Sequence, residues 1–206
     1  MRALGISASP REHSNSRAYL AFALKELAER GVETEMVDLR GLMIDECQAC
    51  YSCAKTKECA VKDDFQGVFA RMMEADAILV AYPVYHASEP AKLKALMDRA
   101  GFLGRWTAND LAAGQGSGGY QWKGTAFSGK IGTPIAVARR AGHAFAFAQT
   151  LLWFTVNDFI VTGSHYWNVG VAGKGGAVNP EDDQEAYGIL SHQAENIAAL
   201  LKKLKA

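Results

Sequence analysis

The chain has 206 residues, 49% of them apolar and 21% charged, with Lys+Arg and Asp+Glu balanced at 22 each. This is ordinary usage for about one α/β domain, with a core large enough to need no disulfides, and the balanced charge offers nothing to recruit nucleic acid or an anionic membrane. The N-terminus, MRALGISASP, lacks the apolar core of a signal peptide, and no apolar run approaches the ~20 residues that span a bilayer, so a soluble, cytoplasmic protein is expected.

In chain order, short β-type runs alternate with helical patterns. Arg2–Ser7 reads as a strand, followed by a helix from about Ser16 to Arg30 with Leu20, Leu24 and Leu27 on one face and Gly31 as its stop. Glu33–Leu39 is the second strand. A cysteine-containing segment at 43–63 shows no periodicity, and a helix from Asp64 to about Glu74 follows, with Asp63 and Gln66 placed to satisfy its first amide hydrogens. Ala77–Ala81 is continuously apolar, as a central parallel strand covered on both faces should be. A loop at Tyr82–Glu89 then leads into a helix beginning near Pro90.

Residues 101–128 are irregular and rich in Gly, Ser and aromatics (Trp106, Tyr120, Trp122), which suits a lid or an interface. Ile131–Ala138 is the fourth strand, Phe145–Val156 a largely apolar helix, Phe159–Gly163 the fifth strand, and Pro180 to Lys203 the last helix. This alternation predicts a single flavodoxin-like domain over 1–206, a doubly wound five-stranded parallel sheet of order 2-1-3-4-5. Ligands of such sheets sit outside the carboxyl ends of the strands, so the loops after strands one, three and four are the ones that matter.

The first of these loops is Ser7-Ala8-Ser9-Pro10-Arg11-Glu12-His13-Ser14-Asn15-Ser16. Hydroxyls, an amide and a guanidinium stand beside a helix start, a combination that binds a phosphate monoester. A polar turn with an N-cap at Ser14 or Asn15 is the plainer reading. Neither GxGxxG nor GxxxxGK[ST] occurs here, which argues against a dinucleotide pyrophosphate site and a nucleotide triphosphatase. After strand three, Tyr82-Pro83-Val84-Tyr85-His86 is a Pro-containing turn that can offer a flat apolar face and backbone donors to a flavin ring. Ala91-Lys92-Leu93-Lys94 and Asp98-Arg99 follow, the last two read as a structural ion pair rather than a catalytic one. After strand four comes Ala138-Arg139-Arg140-Ala141-Gly142. His86 and His143 are candidate proton donors, set against the commoner role of an isolated His as a surface or hydrogen-bonded residue.

All four cysteines fall within thirteen residues, as Cys47-x2-Cys50-x2-Cys53-x5-Cys59. Such clustering points to metal or redox chemistry in a reducing compartment rather than to disulfides. Two-residue spacings let consecutive thiolates converge on one [4Fe–4S] cubane, whereas structural zinc usually takes two separated pairs. The five-residue gap and the missing Pro depart from the bacterial ferredoxin run, and zinc or free redox-active thiols remain alternatives.

These motifs together carry a resemblance. SASPREHSNS resembles the phosphate loop of the NADPH-dependent FMN reductase-like flavoproteins, PVY…LK…DR resembles their flavin-lining stretch, and RRAG resembles the turn beside the flavin pyrimidine. With the compact cysteine motif after strand two, the chain resembles the iron–sulfur flavoproteins of anaerobic archaea and bacteria. The resemblance implies FMN held through its phosphate by Ser9, Arg11, Ser14, Asn15 and Ser16. It places the ring against Pro83, Val84, Tyr85 and His86, with Arg139, Arg140 and Gly142 beside it, and puts a [4Fe–4S] cluster on Cys47, Cys50, Cys53 and Cys59. It further implies a homodimer or homotetramer passing electrons from a ferredoxin-type or NAD(P)H donor through the cluster to FMN. The acceptor would be oxygen, hydrogen peroxide or a small molecule. An FMN-dependent NAD(P)H oxidoreductase or dehydrogenase of a specific organic substrate, and a non-enzymatic zinc-holding binding or sensor module, are the competing functions.

Overall fold

The computed structural model describes residues 1–109 and 123–206. Its strands are β1 (Arg2–Ser7), β2 (Glu33–Asp38), β3 (Ala77–Pro83), β4 (Ile131–Ala138), β5 (Ile160–Val161) and β6 (Val169–Val171). Its helices are α1 (Asn15–Glu29), α2 (Ser52–Thr56), α3 (Phe65–Glu74), α4 (Ala91–Ala108), α5 (His143–Val156) and α6 (Gln184–Lys205). The strands form one parallel sheet in the order β2-β1-β3-β4-β5, the flavodoxin-like order, with β6 also paired to β4.

The continuous apolar run of β3 follows from burial on both faces. Ile78, Val80 and Tyr82 enter a core shared with α3, α4 and α5, while Ala77, Leu79 and Ala81 meet α1 and α6 on the other side. Helix α5 buries Ala146, Phe147, Thr150 and Phe154, yet its outer face carries Phe145, Leu152 and Val156 at 71%, 68% and 67% exposure. No helix among the described residues is long and apolar enough to cross a membrane.

Two expectations need correction. The fifth strand is not one run at Phe159–Gly163: β5 pairs only with Ile131 and Gly132, and β6 resumes against Ala136–Ala138. Between them lies Pro134, which has no amide hydrogen to give a neighbouring strand. The Asn168 side chain bridges the break instead, its Nδ2 donating to Thr133 Oγ1 at 2.9 Å and to the Pro134 carbonyl at 3.3 Å. The first part of the stretch expected to be irregular over 101–128 is helical instead, because 101–108 continue α4. Gly101 and Gly104, which suggested a loop, are notches instead: a Cβ on Gly104 would lie 2.5 Å from the Phe127 ring. Tyr120 and Trp122 lie outside the described residues.

Candidate functional site

Two sites matter among the described residues, a cleft at the carboxyl ends of the strands and a cavity between the cysteine segment and α4. The first is a cleft lined by Ser9, Arg11, Ser14, Asn15 and Ser16 after β1 and by Pro83, Val84 and Tyr85 from β3 onward. Its far wall is Val137 and Arg139 at the end of β4, with Ala172, Gly173, Gly175 and Gly176 after β6. Ser14 is the N-cap of α1, its hydroxyl accepting from the Arg17 N–H at 3.3 Å. The first turn of α1 therefore opens on the cleft with amide hydrogens that have no helical partner. Asn15 Nδ2 donates to the Val178 carbonyl at 2.7 Å and Arg11 Nη2 to the Gly175 carbonyl at 2.5 Å, so the glycine-rich arm is fastened to the β1 loop. Gly176 has φ +85°, and a Cβ there would come within 3.1 Å of Asn15 Oδ1 and 3.3 Å of Arg11 Nη2, so both backbone and space demand glycine.

Across the cleft, Val84 N–H donates to the Val137 carbonyl at 2.8 Å, locking the β3 loop to the β4 loop. Tyr85 and Ser88 exchange backbone hydrogen bonds of 2.9 and 3.0 Å around a two-residue tip. His86 and Ala87 at that tip both have positive φ, 51° and 61°, where Asn and Gly are the usual residues.

The second site is a cavity lined by all four cysteines with Tyr51, Arg99 and Phe102 among their neighbours. The chain bends round it through three non-glycine residues of positive φ, Ala49, Tyr51 and Lys57 (48°, 54° and 60°), and the short helix α2, which carries Cys53. All four thiols are free. Hydrogen bonds from Ser52 hold the Cys50 thiol below its ordinary value. Burial first, and then the charges on Cys59, Cys47 and Cys50, push the Cys53 thiol up. A bound cationic centre would remove that cost of ionising Cys53.

Helix α4 fastens the segment at two points. Lys92 Nζ donates to the carbonyls of Leu39 (3.1 Å) and Leu42 (2.7 Å). Two turns on, Arg99 is 2% exposed. Its Nη1 donates to Asp63 Oδ2 (2.6 Å) and the Asp45 carbonyl (3.1 Å), and its Nη2 to the Val61 carbonyl (2.9 Å) and Cys59 Sγ (3.3 Å). The guanidinium also lies 4.1 Å from the centre of the Phe65 ring. The expected Asp98–Arg99 pair is thus corrected: Asp98 bonds Lys94 at 2.5 Å, and Arg99 bonds Asp63. Adjacent helical residues face different ways, whereas residues four apart share a face. Burial opposes ionisation of Asp63, but hydrogen bonds from Arg99 and from the amides of Asp45 and Phe65 outweigh it and hold the carboxyl below its ordinary value.

Against known proteins, the family model described as NADPH-dependent FMN reductase matches residues 1–174. The chain belongs to that family. It also belongs with the iron–sulfur flavoproteins. One from Archaeoglobus fulgidus is 34% identical over 98% of both chains, and one from Methanosarcina thermophila is 30% identical over 100% of this chain and 97% of its own. Among solved structures, the NAD(P)H:quinone oxidoreductase from Methanothermobacter marburgensis aligns with TM-score 0.61 at 22% identity, covering 98% of this chain and 97% of its own. A flavodoxin from the domain Archaea aligns over the whole of both chains with TM-score 0.58 at 13% identity. These two likenesses concern the fold.

As a member of this family the chain is an FMN-dependent oxidoreductase, and its cleft fits that cofactor. Ser16 Oγ is buried in the cleft wall with no hydrogen-bond partner among the described residues, so it is free for a phosphate oxygen. The structure brings the five expected phosphate residues together with Pro83, Val84, Tyr85 and Arg139. His86, Arg140 and Gly142 do not line the cleft: His86 and Arg140 are exposed, and Gly142 backs onto Val84 and Ala87. His143 is the first residue of α5, also outside the lining. Val137, Ala172, Gly173, Gly175 and Gly176 were not anticipated, although the Gly173-Lys174-Gly175-Gly176 run is a turn-forming signal of the kind that lets backbone approach a ligand closely.

The four thiols that line the second cavity are the donors that could hold a metal centre there. Among the described residues no group of three or more Cys, His, Asp or Glu is already arranged to hold a metal ion.

Proposed function

We propose that the protein is an electron-transfer flavoprotein that holds a [4Fe–4S] cluster on Cys47, Cys50, Cys53 and Cys59 and FMN in the cleft. The single observation behind this reading is that one chain carries both a cavity lined by four thiols and a cleft with an orphaned hydroxyl at a helix start. When bound, the cluster would supply one-electron transfer, and FMN one- or two-electron storage. The chain's own part is to bind and orient. Arg11 and the first turn of α1 meet the phosphate, Pro83, Val84 and Tyr85 form the face for the ring, and Arg139 closes the pyrimidine side. His86 and His143 stand near the β3 and β4 loops rather than in the cleft, which leaves proton delivery to solvent or substrate. The outer face of α5, with Phe145, Leu152 and Val156 exposed, supplies a surface for a homodimer or homotetramer, a state that sedimentation at micromolar concentration reads directly.

Anaerobic purification followed by iron, sulfide and FMN assays tests the cofactors. Turnover with reduced ferredoxin, compared with NADPH and NADH oxidation, then distinguishes an electron relay from an NAD(P)H-dependent reductase of an organic substrate. Colourless protein with stoichiometric zinc would sink both readings.

A further inference from the structure

We propose that Arg99 is a positioning residue that sets the reduction potential of the centre held by the four cysteines, by keeping a buried positive charge and an N–H donor against Cys59 sulfur. The proposal rests on the cluster reading above. Arg99 is the one charged side chain among the described residues that line the cysteine cavity. It is almost wholly removed from water, so solvent screens its charge little.

Its orientation is over-determined. Asp63 and the carbonyls of Asp45 and Val61 hold the fork, the Phe65 ring stacks beneath it, and the remaining direction of Nη2 is toward Cys59. Asp63 is itself held by the amides of Asp45 and Phe65, so the ion pair forms a fixed dipole. Its positive end faces the sulfur.

Reduction adds one negative charge to a thiolate-ligated centre. Hydrogen bonds to the sulfurs and nearby positive charge favour that more negative state and raise the potential. The two members of the pair therefore act with opposite signs. Removing Arg99 leaves Asp63 uncompensated and lowers the potential, while neutralising Asp63 exposes the full guanidinium charge and raises it. A residue that merely staples the loop would give no such pattern. Lys92 provides the comparison, since it ties α4 to the chain just before the cysteine segment through the Leu39 and Leu42 carbonyls and is not part of the cavity lining.

The test is anaerobic reconstitution of wild type, Arg99→Met, Asp63→Asn and Lys92→Met. Iron and sulfide are assayed first, and the midpoint potential of the centre is then followed by EPR-monitored titration. The expected result is a lower midpoint for Arg99→Met, a higher one for Asp63→Asn and an unchanged one for Lys92→Met. Loaded Arg99→Met and Asp63→Asn proteins with the wild-type midpoint overturn the role of Arg99 and leave the cluster reading intact. If Arg99→Met fails to load, Asp63→Asn decides by itself. If both fail, Arg99→Gln decides, because it keeps an N–H donor but not the charge: a midpoint below wild type supports the proposal, and a wild-type midpoint, or failure to load, overturns it. Wild-type protein that takes up no iron overturns the cluster reading and the proposal with it.

Discussion

Burying a hydroxyl without a partner costs about 1–3 kcal/mol, and the chain accepts this at Ser16 in the cleft wall. Ser16→Ala should therefore leave the flavin-free protein as stable as wild type or more so, while weakening FMN binding by about 1 kcal/mol, roughly fivefold. Thermal unfolding with and without FMN, together with flavin fluorescence titration, checks both halves. Equal loss of stability in both forms would show that the hydroxyl serves the fold. Arg11→Ala should cost about 1.5–3 kcal/mol of FMN affinity if its guanidinium meets the phosphate. Flavin titration reads this, and unchanged affinity would place the phosphate elsewhere. At this scale the first loop was legible because its polar atoms stand in ten consecutive residues. The opposing arm at Gly173–Gly176 was not, because only the pairing of β6 with β4 carries it back across more than 150 residues to Arg11 and Asn15.

Among the elements, β4 was read from the sequence at Ile131–Ala138, and so it stands, because every one of its residues is buried and only Thr133 among them carries a polar side chain. The elements missed are short. Helix α2 spans five residues and follows Tyr51, whose left-handed conformation at the cap position gives no side-chain cap, so it offers neither periodicity nor a start signal. Strand β6 spans three residues and has a glycine at its centre. That glycine, like Gly132 in β4, is a notch for an aromatic ring. A Cβ on Gly132 would sit 2.3 Å from Phe154 Cδ1, and Phe154 is wholly buried. Gly132→Ala should destabilise the protein by about 1–3 kcal/mol through overpacking against α5. Urea unfolding measures this, and the accompanying Phe154→Leu change should recover part of the loss.

For the molecule as a whole, two carboxylates join distant parts of the chain. The Ser191 hydroxyl, with Arg30, outweighs burial and holds Glu26 of α1 below its ordinary 4.5. Burial opposes ionisation of Asp76, but Lys205 and the Arg2 amide outweigh it and hold the carboxyl below 3.8. A carboxyl whose folded value is depressed stabilises the fold above its unfolded value and loses that contribution as pH falls through the folded one. Stability should therefore be insensitive to these groups from pH 7 to 5 and fall below about pH 4. Urea midpoints across that range, with Glu26→Gln and Asp76→Asn flattening the acid limb, check it. The two sites also rest on different supports, the cysteine cavity on α4 and the cleft on the loops after β1, β3, β4 and β6. Cys50 is exposed, so Cys50→Ala should abolish iron and sulfide incorporation while FMN stays bound at wild-type stoichiometry. Loss of flavin in that variant would show the two sites to be one cooperative unit.

The break between β5 and β6 leaves a hole in the ladder that one side chain has to fill. Pro134 gives no amide hydrogen there, and Asn168, itself 4% exposed, supplies the donor for the Thr133 hydroxyl and the Pro134 carbonyl. The Asn168→Ala change leaves the backbone ladders on either side in place but removes the donor from two buried acceptors. Such a loss costs about 1–3 kcal/mol, and a lower urea midpoint for that variant, with the sheet signal in circular dichroism retained below it, reads it directly.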